Sequence, residues 1–201
     1  MKKLVVLIIL IVASLIVLRQ TLYVVDETEQ LIITRFGEVK SVVTNPGLSA
    51  KMPFIDLITR FDKRILRIDA PPAALPDKEK QNLIIDSYAR YKIVDPVQFR
   101  KTLQTENNAR SRLGDIVTST LRDRVALRDR FEIVGAEHTT DEFGNPIEDS
   151  EGLPVVEGRE TRSEILAEVL TGVRTRVAEQ DFGIEITDVR IKRADFPDSV
   201  T

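Results

Sequence analysis

The hydropathy of the chain changes character three times. From Leu4 to Leu18 ("LVVLIILIVASLIVL") the sequence is apolar apart from Ser14, whose hydroxyl can bond back into its own helix. At about 1.5 Å per residue this run alone falls short of a hydrocarbon core of roughly 30 Å. Extension through Leu22-Tyr23-Val24-Val25 closes the gap if Arg19 turns its guanidinium toward the headgroups. The pattern predicts a membrane span over residues 1–25, anchored by Leu4, Ile9 and Leu18, with Tyr23 in the interfacial aromatic belt.

A second regime of short, strand-like segments follows. "EQLIITRFGEV" reads as a strand with Gly37 at a turn or bulge, and "LITRFDKRILRID" as further extended chain. Pro71-Pro72 and Pro76 are expected to break it. "NLIIDSYARYKIV" places Ile85, Ala89, Tyr91 and Ile93 on one face at period two, with Ser87 between them, as in an antiparallel sheet with one solvated side.

The period then lengthens. Asp95 can cap a helix whose first residue is Pro96, and Leu113, Ile116, Val117, Leu121 and Val125 recur at helical spacing through "RLGDIVTSTLRDRVALRD". Thr161 and Glu164 have capping-box spacing for a second helix, striped by Ile165, Val169, Val173 and Val177, with Gly183 as its stop. A closing strand, "GIEITDVRIKRADFP", shifts its apolar phase between Ile186 and Val189, which predicts a bulge. Between the helices, residues 135–160 are rich in Gly, Pro and acid and read as a long exposed insertion. The expected organisation is the span at 1–25, a β-rich membrane-proximal subdomain at 26–95, and a second subdomain of helices and a closing strand at 96–201. The predicted class is α+β with a mainly antiparallel sheet.

Composition narrows the functional classes. With 201 residues, 42% hydrophobic and 30% charged, the chain can bury a real core. A net charge of −3 gives no global attraction to nucleic acid. Cysteine is absent, which excludes disulfides, thiolate nucleophiles and cysteine zinc sites. Lys2 and Lys3 precede the apolar run, so the positive-inside rule places the N-terminus in the cytoplasm and everything after Val25 outside it. A cleaved secretory signal shares that start, but "SLIVLRQTLYVV" offers no small-residue pair for cleavage, and an uncleaved signal-anchor is the reading adopted.

Catalytic and metal signatures are sparse. His138, the single histidine, lies in the acidic insertion near Asp141 and Glu142, without the alternating ligands of a calcium loop. No GxGxxG, P-loop, HExxH or GxSxG is present. A Ser–Lys hydrolase needs no histidine and is the competing enzymatic class, though no serine has a distinctive context. The arginines of "ARSRLGDIVTSTLRDRVALRDRF" alternate with Asp115, Asp123 and Asp129, which predicts an ion-paired solvated face and no nucleic-acid surface. Arg67 and Lys63 could meet lipid phosphates or be ordinary surface charge. No cofactor, metal or catalytic residue is assigned.

Three blocks together carry a family resemblance: "RFGEVKSVVTNPGLSAKMPFID", "DSYARYKIVDPVQF" and "GIEITDVRIKRADFPDSV". In order and spacing, behind an N-terminal anchor, they resemble the SPFH (band 7, stomatin–prohibitin) domain from about Val24 to Thr201. Within the family the chain is most similar to the HflC branch, because "MKK" directly precedes the anchor and a long insertion separates the helices. The resemblance implies a non-enzymatic scaffold in the bacterial inner membrane, forming a hetero-oligomer with an HflK-like protein and modulating the membrane protease FtsH. A general stomatin-like scaffold without FtsH is the alternative. Family members continue past "FPDSV" into a long charged helix that builds the oligomer, so assembly is expected of the full-length protein. The resemblance also implies that the turn at Pro53, Phe54 and Ile55 dips into the bilayer. By its residues alone the turn could equally pack on its own sheet.

Overall fold

The uncharged run forms the centre of helix α1 (Lys2–Thr21), in a computed structural model that describes residues 2–128, 133, 137–138, 156–157 and 159–195. Its 20 residues span about 30 Å, and the stretch Lys3–Thr21 is long and apolar enough to cross a membrane. The helix ends earlier than its hydropathy suggests. Thr21 closes it by donating its hydroxyl to Val17 O (2.7 Å), and Leu22–Val25 leaves as strand β1. This corrects the expectation of a continuous span to Val25. The aromatic and β-branched "LYVV" pairs antiparallel with β4 (Gly47–Ala50), burying Tyr23 and Val25 while Leu22 and Val24 face outward. Tyr23, only 8% exposed, is therefore a core residue of the sheet domain and not part of the helix.

Strand β2 (Glu29–Arg35) lies between β3 (Glu38–Val43) and β5 (Asp56–Asp62) in an antiparallel sheet. Its unbroken Leu-Ile-Ile follows from burial on both faces. Leu31 and Ile33 pack with Tyr23 and Val25 in a small cluster, whereas Ile32 belongs to the main core. The β2–β3 connection is tight: Phe36 (φ 51°) and Gly37 (φ 88°) both take positive φ, the demand of a two-residue hairpin turn.

A second antiparallel sheet has the order β10-β7-β6, from β6 (Leu66–Pro76), β7 (Asn82–Ile93) and β10 (Ile184–Asp195). The period-two reading of β7 is realised, with Leu83 added to the buried face of Ile85, Ser87, Ala89, Tyr91 and Ile93. The prolines do not break β6. Register slips between Ala70 and Ala73, leaving Pro71 and Pro72 in a bulge of an edge strand, where a missing N–H is tolerated. β10 carries the expected irregularity between Ile186 and Asp188, and a second between Ile191 and Arg193. Through β7 this sheet joins segments on both sides of residue 95.

Helices cover that sheet. α2 (Pro96–Thr102) starts where Asp95 accepts from the Val97 and Gln98 amides at 2.9 and 3.0 Å. One helix was expected onward from Pro96, but the chain turns at Gln104 (φ 65°) and restarts with Thr105 capping α3 (Glu106–Val125). α4 (Arg159–Glu179) begins two residues before Thr161, which is thus inside the helix and not its cap. Ile165, Val169, Val173 and Val177 are its buried stripe, and Gly172 approaches so close that a Cβ there would lie 2.9 Å from Thr120 Cγ2. Of the 135–160 insertion, Glu137–His138 (β8) pairs antiparallel with Val156–Glu157 (β9); the remainder, apart from the start of α4, lies outside the described residues.

The first sheet is fastened to β7 and to α2: Gln30 Nε2 of β2 donates to Ile93 O of β7 (3.0 Å), the rings of Phe61 of β5 and Phe99 of α2 meet edge to face at 5.6 Å, and Arg100 Nη1 of α2 donates to Thr59 Oγ1 of β5 (2.5 Å). At the start of α2, Gly183 O accepts from the Val94 and Asp95 amides (3.0 and 2.9 Å). A Cβ on Gly183, at φ 70°, would lie 2.3 Å from Asp95 O. Gly183→Ala is therefore expected to lower stability by more than the roughly 1–3 kcal/mol of backbone strain alone. Gly37→Ala, with open space around it, should cost strain only. Chemical denaturation of the detergent-solubilised protein checks this; equal losses for the two variants would contradict it.

Candidate functional site

Chain direction gathers three bends at one end of the first sheet. α1 ends at Thr21, whose carbonyl accepts from the Lys51 amide at 2.8 Å, so the segment after β4 is tied to the helix terminus. Met52 to Ile55 then turns into β5, whose first residue Asp56 pairs with Arg35, the last of β2. The Phe36-Gly37 turn follows directly. The helix exit, the 52–55 turn and the β2–β3 turn therefore share one end.

The Asp56 carboxylate organises this end. Its Oδ2 accepts from the Met52 amide (2.9 Å), while the Asp56 amide donates to Met52 O (3.1 Å), closing the turn from both sides. Arg35 straddles the same carboxylate, Nε to Oδ1 at 2.8 Å and Nη2 to Oδ2 at 3.2 Å. Lys51 Nζ reaches Asp56 O at 3.3 Å. The Asp56 side chain is only 5% exposed and that of Arg35 29%, so the carboxylate side of this bidentate pair is shielded from water while the guanidinium keeps some contact with it. The Arg35 guanidinium first, and the Met52 amide second, hold the carboxyl at about 2, below its ordinary 3.8.

Around this polar centre the apolar side chains point outward. Phe36 is 88% exposed, Phe54 73%, Leu57 67% and Met52 49%. Of the three residues marked by the sequence, Phe54 and Ile55 are exposed and Pro53 is half-buried. The turn does not pack its bulky groups on its own sheet. Phe54 sits at φ 65°, like Phe36 at φ 51°, a conformation uncommon for bulky residues. Two strained aromatic tips beside one ion pair form an arrangement suited to an apolar surface. Leu4, Ile9 and Leu18 are exposed along α1, as for a helix meant for lipid. Phe36 and Leu57 were not singled out from the sequence; the available signal was the Phe-Gly turn, read there only as punctuation.

The other candidates resolve without chemistry. Arg67 pairs with Asp69 (2.8 Å) and stacks over the Tyr88 ring (4.1 Å), and Lys63 Nζ reaches Thr44 O (3.5 Å). Lys192 bridges Asp69 (2.6 Å) and Asp86 (3.4 Å), and Arg90 pairs with Asp188, so the outer face of β10-β7-β6 neutralises itself. On the α3 side, Arg124 and, just past the helix, Arg128 pair with Glu168 of α4, while Asp123 takes Arg176 of α4, so these pairs run between the two helices. Among the described residues no group of three or more His, Asp or Glu side chains could hold a metal. The side chain of His138 lies outside the described set, as does Asp129.

The protein is thus a membrane-anchored α+β domain whose anchor-proximal end is apolar. Comparison with known proteins assigns it: the model of the SPFH domain / Band 7 family matches residues 23–201, and the chain belongs to that family. Its relatives include Protein HflC of Treponema pallidum, 27% identical over 92% of this chain and 59% of the relative. Protein HflC of Vibrio cholerae is 30% identical over 96% and 62%. The protein named modulator of FtsH protease HflC in Escherichia coli is 33% identical over 100% and 66%. The chain spans about three-fifths of the length of the first of these.

The depressed Asp56 value carries a pH signature. Because the folded value lies below the unfolded one, its stabilisation is complete above about pH 4 and is lost as pH falls toward 2. Asp56→Asn is expected to be destabilised at neutral pH and to lose less further stability through this acid window. Thermal melts by circular dichroism between about pH 5 and pH 2 check it. A variant as acid-sensitive as wild type would contradict the assignment.

Proposed function

We propose that the chain is the anchored SPFH part of an HflC-type scaffold in the bacterial inner membrane. Its N-terminus lies in the cytoplasm and its domain on the extracytoplasmic side. As part of a full-length protein it assembles with an HflK-like partner and modulates an FtsH-type protease, with no catalytic activity of its own. The observation carrying this reading is the placement of exposed Phe36, Met52, Phe54 and Leu57 where α1 leaves, on a chain whose relatives include a named protease modulator.

In this reading residues 26–95 are the membrane-proximal subdomain and 96–201 the second, and Pro53, Phe54 and Ile55 contact the outer leaflet beyond the anchor. Fully burying one large apolar side chain is worth about 1.5–3 kcal/mol, so Phe54 and Ile55 add local attachment without replacing the helix. Their contribution is to set the pose of the domain on the surface. A stomatin-like scaffold organising lipids or other membrane proteins without FtsH is the second reading, favoured by the same family match.

A membrane-impermeant crosslinker added to spheroplasts, followed by purification of the full-length protein, separates the two. The expected result is recovery of the HflK-like protein and FtsH. Recovery of other membrane complexes without FtsH would favour the second reading, and reaction only with a permeant crosslinker would overturn the orientation.

A further inference from the structure

An apolar groove lies in the angle between the end of α1 and the first strand pair. One wall is Leu15 and Leu18 of the helix; the other is Leu22, Val24 and Leu48, the outward face of the β1–β4 ladder. The groove encloses about 390 Å³, within the roughly 300–1,000 Å³ typical of small-molecule sites. All five side chains are exposed. The lining includes one charged residue, Arg19.

Arg19 is the unusual member. It sits in the last turn of α1, and among the described residues its guanidinium has no hydrogen-bond or ion-pair partner. Of the three carboxylates just after the helix, Asp26 accepts from the Thr28 amide and hydroxyl, Glu29 pairs with Arg60, and exposed Glu27 makes no ion pair with Arg19. A cation beside the hydrocarbon is costly unless it meets an anion or the headgroup layer. The guanidinium fork matches a phosphate in two parallel hydrogen bonds.

We infer that this groove binds one acyl chain of an anionic phospholipid whose phosphate pairs with Arg19. The occupant follows from the walls: one belongs to the membrane anchor, so the groove is continuous with its lipid-facing surface. A second apolar helix would cover the leucines but leave Arg19 without an anion. The site would fasten a lipid between anchor and domain, where the chain changes from helix to strand. The inference rests on α1 lying in the membrane and not on protease modulation.

The test uses the full chain in phosphatidylcholine nanodiscs containing a minor share of phosphatidylglycerol with a photoreactive diazirine in one acyl chain, with labelled peptides mapped by mass spectrometry. Labelling is expected at Leu15–Val24 and around Leu48 in preference to Leu4–Leu10, and more from phosphatidylglycerol than from a phosphatidylcholine analogue. Arg19→Gln should reduce groove labelling by phosphatidylglycerol about tenfold, the factor one charge-assisted hydrogen bond sustains. Leu48→Trp, at an exposed position, should fill the groove and suppress its labelling by both lipids while labelling of Leu4–Leu10 stays unchanged. Even labelling along α1 without headgroup preference, groove labelling unaltered by both variants, or crosslinking of the groove to a second polypeptide would overturn the inference. Labels confined to Leu4–Leu10 would reject the groove alone, whereas no label anywhere on α1 would reject the anchoring beneath it.

Discussion

The ion pair between Asp56 and Arg35 sets the geometry on which the apolar end depends. One carboxylate receives the Arg35 guanidinium from the end of β2 and the Met52 amide from across its own turn. It thereby fixes the relative position of two tips, Phe36 and Phe54, that hold positive φ at a conformational cost. Removing Arg35 would leave the Asp56 carboxylate in a poorly hydrated site, which makes the pair costly to break from that side. With the Lys51–Thr21 hydrogen bond, the same turn is fastened to the end of the anchor. Helix exit and apolar tips are consequently one unit.

That unit is coupled to the rest of the domain through β2. Its Leu31 and Ile33 face the small cluster beside β1, while Ile32 reaches the main core with Phe61 and Phe99. Both faces of one strand are buried, so tilting the first sheet would disturb two cores at once. The Gln30–Ile93 and Arg100–Thr59 hydrogen bonds add direction to this joint. In the proposed function, the pose of the apolar end on the bilayer would reach α3 and α4 through rigid packing.

Much of this architecture was legible in the sequence because it rests on local periodicity. The alternation of β7, the Asp95-Pro96 start of α2, the stripe of α4 and the β10 bulge each follow from neighbours a few residues apart. The misreadings share a cause in tertiary context. Leu22–Val25 continues the apolar run, and only the pairing with Gly47–Ala50 makes it a strand. Pro71 and Pro72 look like breakers until β6 is seen to be an edge strand with a bulge. At the candidate site, the turn at Pro53–Ile55 was visible as an apolar patch beside a proline. The role of Asp56, and the proximity of Phe36 some twenty residues away, depend on strand register and left no local mark.

The central claim is that the anchor-proximal end of the first sheet meets lipid. Tryptophan is absent from the chain, so Phe54→Trp supplies a single indole reporter in the otherwise intact protein. Leu127→Trp, at an exposed position after α3, serves as the reference. In vesicles whose acyl chains carry bromine, the account predicts blue-shifted, strongly quenched emission from the indole at position 54, and red, unquenched emission from that at 127. Emission at 54 as red and as unquenched as at 127 would contradict it.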